Sequence, residues 1–463
     1  MDKLDLKKAI EPKTIAVVGA SRNPSKVGNA VLKNLLMGGY NGRIYAVNPN
    51  AEKILGVNCY KSVLDIKGDV ECAIIAVPAP YVNQVLRECG KKGVGGAVVL
   101  SGGFKEVGEK ELEEEFVRVC KKYNIAAIGP NCLGIINMQK HIDSTFLPTY
   151  KMKRSQVGKI SFITQSGAVG STILDLVAES NIGVSKFISY GNATVIDESD
   201  LLEYLRDDPD TSVIVVYIEG VKDGRKFYEV LKSTTAIKPV VVLKAGKGRL
   251  ASEAAKSHTG ALAGDYKVFS SMLKQAGAVE AENLDELFNL LKVFLQPLPR
   301  GDRIMVITNG GGDGVLAMDA IEKNGLRPAQ LSKKTIRKFK RMFPRHVVVG
   351  NPLDLTGDAD SERYRKVLTE IIKEEGVDAI VVITLFQTVG LGPEVIRVVM
   401  EADNMTDKTI VSVATGGEYT RMLLKIVESS GLPTYGSPSS AISAIAKSLW
   451  YQQYLRRISE SHA

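Results

Sequence analysis

The feature that most constrains the fold of this chain is the regular alternation of short runs rich in valine and isoleucine with longer amphipathic stretches. Such runs occur at residues 14–20 (TIAVVGA), 72–78 (CAIIAVP), 212–220 (SVIVVYIEG), 303–312 (RIMVITNGGG) and 377–386 (VDAIVVITLF). A short, continuous apolar run predicts a strand that is buried on both faces, and the helix-length segments between the runs predict crossover connections. The sequence therefore predicts parallel sheets covered by helices on both faces, which is the doubly wound α/β class.

Two polar segments divide these strands into three series. Residues 148–158 (PTYKMKRSQVG) predict a linker, and residues 296–302 (QPLPRGD) predict a second boundary. A chain of 463 residues has room for three domains of ordinary size. We therefore expect three consecutive α/β domains, at residues 1–150, 151–298 and 299–463.

Composition excludes several classes of protein. The five cysteines contain no CxxC pair and no grouping typical of a metal site, which favours reduced thiols in a cytoplasmic protein. The sequence contains no uninterrupted apolar run of about 18 residues, so we expect no membrane span. The first residues lack the apolar core of a secretory signal. The net charge is +8, and we interpret lysine and arginine as spread along the chain rather than clustered. Only 6% of the residues are aromatic, so we expect no nucleic-acid surface. A small polyanionic ligand fits this charge better.

Three glycine-rich turns follow predicted strands, at residues 17–35, 162–176 and 306–321. A helix that begins after such a turn offers unpaired N–H groups and a partial positive charge to an anion. The first turn lacks GxGxxG, and the next strand ends in VNPN without an acidic residue for a ribose hydroxyl, which argues against a nicotinamide dehydrogenase. Its basic residues, Arg22 and Lys26, indicate a phosphate-rich ligand or, alternatively, a solvated strand–helix turn.

The second and third turns repeat this design. In the second, small residues after Ser166 allow backbone amides to approach an anion, although Ser166 also fits a simple helix cap. Glycine costs roughly 1 kcal/mol relative to alanine inside a helix, so the glycine run of the third turn indicates close backbone approach to a ligand. Asp313 in that turn would repel an anion if its side chain pointed inward.

His258 is one of only four histidines, and it lies in a segment, residues 244–265, that is rich in glycine and alanine and poor in large apolar side chains. Such a segment buries few contacts, so its local opening costs little free energy. We expect a mobile loop. Neutral imidazole is a good nucleophile toward a phosphoryl group at neutral pH, where lysine is mostly protonated.

Seven segments, some of them within the turns and the loop described above, occur along the chain in an order that indicates a family. They are residues 15–28 (IAVVGASRNPSKVG), 77–80 (VPAP), 128–135 (IGPNCLGI), 164–170 (TQSGAVG), 257–264 (SHTGALAG), 308–312 (TNGGG) and 351–359 (NPLDLTGDA). Together they resemble the α subunit of the ADP-forming acyl-CoA synthetases, the acetate–CoA ligase relatives of succinyl-CoA synthetase. The resemblance implies a Rossmann-like CoA-binding domain followed by two flavodoxin-like CoA-ligase domains.

The resemblance also implies a reaction, in which acyl-CoA, ADP and phosphate give a carboxylic acid, ATP and CoA. Acetate, and hence acetyl-CoA, is the expected substrate. An acyl phosphate forms first, His258 then takes its phosphoryl group and carries it to ADP, and Glu219 orients the imidazole ring. The resemblance places Mg²⁺ and ADP or ATP on a separate ATP-grasp β chain, in an α2β2 heterotetramer, with no metal on this chain.

The resemblance assigns two further sets of residues. The phosphoryl group would lie between two helix N-termini, at Ser166, Gly167, Ala168, Asn309, Gly310, Gly311 and Gly312. CoA would bind the first domain at Gly19, Ala20, Ser21, Arg22, Lys26, Val27, Asn48, Pro49, Val77, Pro78, Ser101, Gly102, Gly103, Asn131 and Cys132. For Cys132 we favour a packing role, because the reaction needs no enzyme thiol.

Two alternative functions stay open, of which the nicotinamide dehydrogenase is disfavoured by the missing GxGxxG and ribose carboxylate. The chain could be a catalytically inactive CoA-binding protein with a regulatory or scaffolding role. Glu219 and His258 speak against this alternative, because a protein that only binds CoA needs neither.

Overall fold

The computed structural model describes residues 4–248, 250–251 and 265–460 of the chain. The chain forms two compact units, Met1–Glu280 and Ala281–Ala463. Both contain mainly parallel sheets with helices between the strands, which confirms the predicted doubly wound α/β class. In the part of the chain that the structure describes, no helix is long and apolar enough to cross a membrane.

The first sheet of the first unit has seven strands, with helices on both of its faces. The strands are β1 (Thr14–Val18), β2 (Arg43–Val47), β3 (Lys53–Ile54), β4 (Val57–Tyr60), β5 (Cys72–Ile75), β6 (Gly96–Val99) and β7 (Ala126–Ile128). The helices are α1 (Lys7–Ile10), α2 (Val27–Met37), α3 (Ala79–Lys92) and α4 (Lys110–Tyr123). The strand order is β3-β4-β2-β1-β5-β6-β7, and the central strand β1 pairs in parallel with β2 and β5. All of β5 and β6 is buried, which explains the unbroken apolar runs in the sequence.

The second sheet also has seven strands. They are β8 (Ile135–Asn137), β9 (Ile142–Asp143), β10 (Val157–Thr164), β11 (Val184–Ser189), β12 (Val213–Ile218), β13 (Val240–Lys244) and β14 (Val279–Ala281). The helices that follow them are α5 (Gly167–Glu179), α6 (Glu198–Asp207), α7 (Gly224–Thr235) and α8 (Tyr266–Gln275). The strand order is β14-β13-β12-β10-β11-β8-β9, in which β10 pairs in parallel with β11 and β12. Ligands of such sheets bind where the parallel strands end, so the residues after β10, β11 and β12 are the ones that matter for function.

The hairpin of β8 and β9 connects the two folds of the first unit. It precedes residue 150, where we predicted the first domain to end, yet β8 pairs antiparallel with β11 of the second sheet. The side chain of Asn137 donates to the carbonyl oxygen of Ile10 at 3.2 Å. Just after the hairpin, the carbonyl oxygen of Thr145 accepts a 2.8 Å hydrogen bond from Asn34 of α2. The segment is thus hydrogen-bonded to both folds.

The second unit contains one six-stranded sheet. Its strands are β15 (Arg303–Thr308), β16 (Arg327–Pro328), β17 (Leu353–Asp354), β18 (Ala379–Ile383), β19 (Thr409–Val413) and β20 (Thr434–Tyr435). Its helices are α9 (Leu284–Val293), α10 (Gly311–Lys323), α11 (Lys333–Met342), α12 (Ser361–Ile371), α13 (Glu394–Asp403), α14 (Glu418–Ser429) and α15 (Pro438–Glu460). The strand order is β16-β15-β18-β19-β20, with β17 also paired to β15. The third glycine-rich turn follows β15, so it lies at the carboxyl end of a buried parallel strand.

Candidate functional site

A cleft of about 890 Å³ opens in the first unit where β10, β11 and β12 end. It is lined by three groups of residues that the sequence analysis had singled out: the second glycine-rich turn, the residue after β12, and the loop before β8. The members of these groups are Ser166, Gly167, Ala168, Glu219, Asn131 and Cys132. Residues that are far apart in the sequence therefore face one space.

Ser166 caps helix α5. Its Oγ accepts a hydrogen bond from the backbone N–H of Val169 at 3.3 Å. The cap role of Ser166 is thus present in the structure, and the hydroxyl hydrogen is still available to donate to a ligand. The amides of Gly167 and Ala168 begin the helix beside it, so the cleft contains the positive end of a 13-residue helix.

Gln165 is a residue that the sequence analysis missed. Its Oε1 accepts hydrogen bonds from the backbone N–H groups of Glu219 and Gly220, and its Nε2 donates to the Gly220 carbonyl at 2.8 Å. Gln165 thereby ties the phosphate turn to the end of β12. The only sign in the sequence is that a polar residue lies between a buried strand and the SGA turn. A polar residue exposed to solvent would give the same pattern.

Glu219 follows β12 directly and lies half-buried at the cleft. The ammonium of Lys244 donates to its backbone carbonyl at 2.7 Å. The hydroxyl of Tyr217 donates a hydrogen bond to the carboxylate of Glu219. Burial, together with this carboxylate, raises the pKa of Tyr217 to about 12. The backbone of Glu219 is therefore held from two sides, by Gln165 and by Lys244.

Asn131 and Cys132 follow the cis peptide bond between Gly129 and Pro130. Asn131 has a φ of 59°, a left-handed conformation that Asn tolerates better than most residues, and its side chain is exposed at the cleft. Cys132 is buried, its Sγ donates to the carbonyl oxygen of Val99 at 3.2 Å, and burial raises its pKa to about 12. These contacts agree with the packing role that we favoured for Cys132, because a thiol of this kind is not a thiolate at neutral pH.

The first glycine-rich turn, the expected pyrophosphate site, is compact. Gly19 has a φ of +88°, and a Cβ there would lie 2.6 Å from the carbonyl oxygen of Ala76, so a side chain is excluded. Asn48, at the end of β2, donates to the carbonyl oxygen of Ala20 at 2.7 Å. Arg22 reaches across to the backbone carbonyl of Asn50 at 3.3 Å. The turn and the end of β2 are therefore adjacent, as the predicted CoA site requires.

The remaining predicted CoA residues lie along the same edge of the first sheet. Ser101 donates from its hydroxyl to the backbone carbonyl of Val77 at 2.5 Å, so the ends of β5 and β6 meet. The backbone N–H of Gly103 is occupied, because it donates to Glu106 at 2.6 Å. Lys26 and Val27 line a separate hollow of about 440 Å³, together with Lys33, Lys151 and Tyr150.

The third glycine-rich turn lies in the second unit, and the side chain of its Asn309 faces the interior. Asn309 is 2% exposed, and its Oδ1 accepts from the Leu385 N–H at 2.7 Å and from the Tyr364 hydroxyl at 3.0 Å. Its Nδ2 donates to the Leu385 carbonyl at 3.2 Å. The Asn309 side chain is thus engaged inside the protein, so a ligand at this turn would meet its backbone groups.

Carboxylates also lie near the start of α10. A Cβ on Gly311 would be 2.8 Å from Oδ2 of Asp354, and one on Gly310 would be 3.6 Å from Oδ2 of Asp313. Two anionic groups therefore already lie close to the positive end of this helix. Across the described ranges, no group of three or more His, Cys, Asp or Glu side chains is placed to hold a metal ion.

The catalytic histidine of the sequence analysis, His258, lies outside the described residues, as does most of the loop predicted at residues 244–265.

The expectation that basic residues are spread along the chain is wrong for one segment. Residues 333–345 contain seven lysines and arginines and no acidic residue. All seven are exposed, on and just after helix α11, whose opposite face buries Thr335 and Phe339. The basic residues on α11 recur at helical spacing, so they lie on the exposed face of one helix. A count over the whole chain does not show such a local cluster.

Comparison with known proteins finds family models that match three successive segments of the chain. Family models match as a CoA binding domain over residues 13–138, a succinyl-CoA ligase like flavodoxin domain over 157–294 and a Ligase-CoA domain over 304–422. The α subunit of acetate–CoA ligase (ADP-forming) II of Pyrococcus furiosus is 41% identical over 94% of this chain and 95% of its own length. Acetate–CoA ligase (ADP-forming) I of Archaeoglobus fulgidus is 42% identical over 94% of this chain, which spans only 62% of that longer protein. Acetyl-coenzyme A synthetase 1 of Ca. Korarchaeum cryptofilum, described as dinucleotide forming and solved with phosphate and ADP, has a TM-score of 0.94 and 35% identity over 100% of both chains.

Proposed function

This chain belongs to the family of α subunits of ADP-forming acetate–CoA ligases, which are acid–thiol ligases, and from that premise we propose a specific reaction path for it. In this proposal, acyl-CoA, phosphate and ADP are converted to the free acid, CoA and ATP through an acyl phosphate and a phosphohistidine at His258. Acetate is the proposed acid.

The observation that carries this proposal is the cleft of the first unit. It places the start of α5, the carboxylate of Glu219 and the loop of Asn131 around one space of about 890 Å³. A phosphate bound by the Gly167 and Ala168 amides gains up to about 2 kcal/mol from a helix N-terminus in a partly buried site. The thiol end of CoA, entering past Asn131, would then meet that phosphate.

The proposed chemistry has three steps. A phosphate oxygen attacks the thioester carbonyl carbon, the C–S bond breaks, and CoA leaves as a thiolate that takes up a proton. The imidazole of His258 then attacks phosphorus, so that an N–P bond forms and the carboxylate leaves. Finally an oxygen of the ADP β-phosphate attacks the same phosphorus, which returns a neutral imidazole and yields ATP.

Glu219 has a positioning role in this path. A carboxylate that accepts a hydrogen bond from one ring nitrogen leaves the other nitrogen free as nucleophile, and it stabilises the charge that develops on the ring. Because Gln165 and Lys244 hold the backbone of Glu219, its carboxylate does not depend on the histidine segment for its own position.

We further propose that a second subunit supplies the nucleotide site. Longer relatives are known: this chain spans 62% of the Archaeoglobus fulgidus protein and 64% of acetate–CoA ligase (ADP-forming) from Methanocaldococcus jannaschii. The models matched in this chain are those of a CoA binding domain and two CoA-ligase domains. An ATP-grasp β subunit in an α2β2 assembly, carrying Mg²⁺ and ADP or ATP, would complete the cycle.

The decisive experiment is phosphoryl labelling. The purified chain is incubated with acetyl-CoA and radiolabelled phosphate, with and without a β subunit, and protein-bound label is measured after separation under alkaline conditions, which preserve phosphohistidine. We expect label on the wild type and none on His258→Ala, with His346→Gln, a change at an exposed histidine of the second unit, as the matched control. Equal labelling of wild type and His258→Ala would overturn the path, and acetyl-CoA binding with no labelling in any mixture would support the inactive CoA-binding alternative.

A further inference from the structure

Asn192, in the loop after β11, joins the two folds of the first unit across the cleft. Its Nδ2 donates to Glu106 at 2.7 Å and to Glu113 at 3.0 Å, and both of these carboxylates belong to the first fold. Its Oδ1 faces the side chain of Asn131, whose Nδ2 donates to it at 3.3 Å. Asn192 and Glu106 are 86 positions apart in the chain.

The orientation of both amides follows from the two carboxylates. An ionised carboxylate can only accept hydrogen bonds, so the NH₂ group of Asn192 must face Glu106 and Glu113. Its carbonyl oxygen then faces Asn131 and accepts from the NH₂ group of that residue. The carbonyl end of Asn131 therefore points elsewhere: its Oδ1 lies 3.0 Å from where a Cβ on Gly102 would be.

The groups that orient Asn192 are themselves held in place. Oε1 of Glu106 accepts from the backbone N–H of Gly103 at 2.6 Å and of Phe104 at 3.2 Å. Burial raises the pKa of Glu106, but these hydrogen bonds and the one from Asn192 outweigh burial and leave it below its ordinary value. Glu106 is therefore ionised at neutral pH and stays an acceptor.

The backbone of the same loop is held from both sides. The N–H of Asn192 donates to the carbonyl oxygen of Pro130 at 3.0 Å, in the loop that carries Asn131. Lys222 donates to the carbonyl oxygens of Asn192 at 3.0 Å and Ala193 at 2.6 Å. With backbone and side chain both anchored, the loop of Asn192 gives Asn131 a single orientation.

We propose that Asn192 is a positioning residue for the CoA thioester: it fixes the amide of Asn131 so that the remaining N–H of its NH₂ group faces the thioester end of acyl-CoA. This inference rests on the proposed function, in which Asn131 meets the thiol end of CoA. An oriented donor at this position favours the thioester carbonyl oxygen, which gains negative charge when phosphate attacks. If the amide of Asn131 could rotate freely, its oxygen would face the thioester carbonyl oxygen about as often as its NH₂ group would.

The test exchanges donor and acceptor in nearly isosteric variants. In Asn192→Asp the donor between two carboxylates is lost and a third carboxylate is added. In Glu106→Gln/Asn192→Asp, the glutamine introduced at position 106 can still accept from the Gly103 and Phe104 amides while its NH₂ group donates to the new carboxylate. Full-length variants are titrated with acetyl-CoA by calorimetry, and Asn58→Asp, at an exposed strand position, serves as the matched control.

At pH 8 we expect Asn192→Asp to bind acetyl-CoA about tenfold more weakly, since losing a hydrogen bond to a charged group and adding a third carboxylate costs about that factor. Lowering the pH to 5.5 should recover part of the affinity, because the adjacent carboxylates of Glu106 and Glu113 raise the pKa of the introduced aspartate, and its protonated form regains one donor. The charged groups in contact with residue 192 are Glu106 and Glu113 of the first fold and Lys222 after β12. Lys222 in turn lies near Lys105 and near Asp197 and Glu198 at the start of α6. The double variant should bind within about threefold of the wild type at pH 8.

A residue that merely supports the fold would lower the affinity for free CoA as much as for acetyl-CoA, so free CoA, which lacks the thioester carbonyl, is titrated in parallel. If the wild type binds acetyl-CoA and Asn192→Asp binds it equally well at pH 8, the positioning role is wrong and the proposed function stands. A tenfold loss that neither low pH nor the double variant repairs also contradicts the positioning role. If the wild type itself fails to bind acetyl-CoA, the proposed function and this inference fall together.

Discussion

Replacing Glu198 by Gln is expected to make the chain more stable at neutral and alkaline pH. Glu198 is the first residue of α6 and is 2% exposed. Burial raises its pKa from 4.5 to about 7, and the neighbouring Asp197 adds to the rise, while Lys222 and Lys226 oppose it. The folded chain therefore prefers the protonated acid, which a neutral glutamine imitates.

The magnitude follows from the interval between the two pKa values. Between pH 4.5 and about 7 the folded chain binds a proton that the unfolded chain has released, so stability falls as pH rises through this window. At 1.36 kcal/mol per pH unit, the loss is about 3 kcal/mol, fully developed above pH 7 and absent below pH 4.5. Glu198→Gln removes this loss, so the variant should exceed the wild type by up to about 3 kcal/mol at pH 8.

The assay is urea unfolding of wild type and variant at several pH values from 4.5 to 8.5, followed by circular dichroism. The quantity of interest is the difference in unfolding free energy between the two proteins as a function of pH, which cancels the titration of every other group. Glu203→Gln, at a partly exposed carboxylate on the same helix, is the matched control. A Glu198→Gln difference that stays constant from pH 4.5 to 8.5 would refute the reasoning.

Three other outcomes are expected. Lys186→Met should cost about 3–5 kcal/mol of unfolding free energy in urea titrations, because it leaves Asp208, buried and 2.7 Å from the ammonium, without its counter-charge; a cost below about 1 kcal/mol contradicts this. Gly28→Ala should weaken both stability and CoA binding, since its Cβ would lie 2.0 Å from a carbonyl oxygen of the first glycine-rich turn, whereas Gly224→Ala, with open space at that position, should be neutral in the same thermal melts and CoA titrations. Cys132 should resist maleimide at pH 7.5 until the chain unfolds, because burial raises its pKa to about 12; mass spectrometry showing its modification in the folded chain would count against this.

The fold was predictable because a parallel sheet with both faces covered leaves an unmistakable pattern of apolar runs. The run predicted at residues 212–220 contains β12, and the run at 377–386 contains β18. Strands of two residues, such as β17 and β20, leave no such pattern and were not predicted. The hairpin of β8 and β9 could not be placed from the sequence, because its pairing with β11 is a tertiary choice that local propensity does not determine.

The site was predictable where it depends on strand ends and was not where it depends on distant side chains. Ser166 and Glu219 each come at the end of a buried strand, and this alone indicates the edge of the sheet where ligands bind. Gln165 and Asn192 matter through partners more than 50 positions away, so a single sequence carries no sign of their roles. For the same reason the burial of the Asn309 side chain against Tyr364 was not foreseen.

The hairpin of β8 and β9 restricts where the gene for such a protein can be split or recombined. If a gene were split at residue 150, the second sheet would keep its later strands but lose β8 and β9, and β11 would become a bare edge. Bare edges of this kind pair with other chains and promote aggregation. Successful recombination between relatives is therefore expected to keep all strands from β8 to β14 on one side of any junction, together with the first sheet.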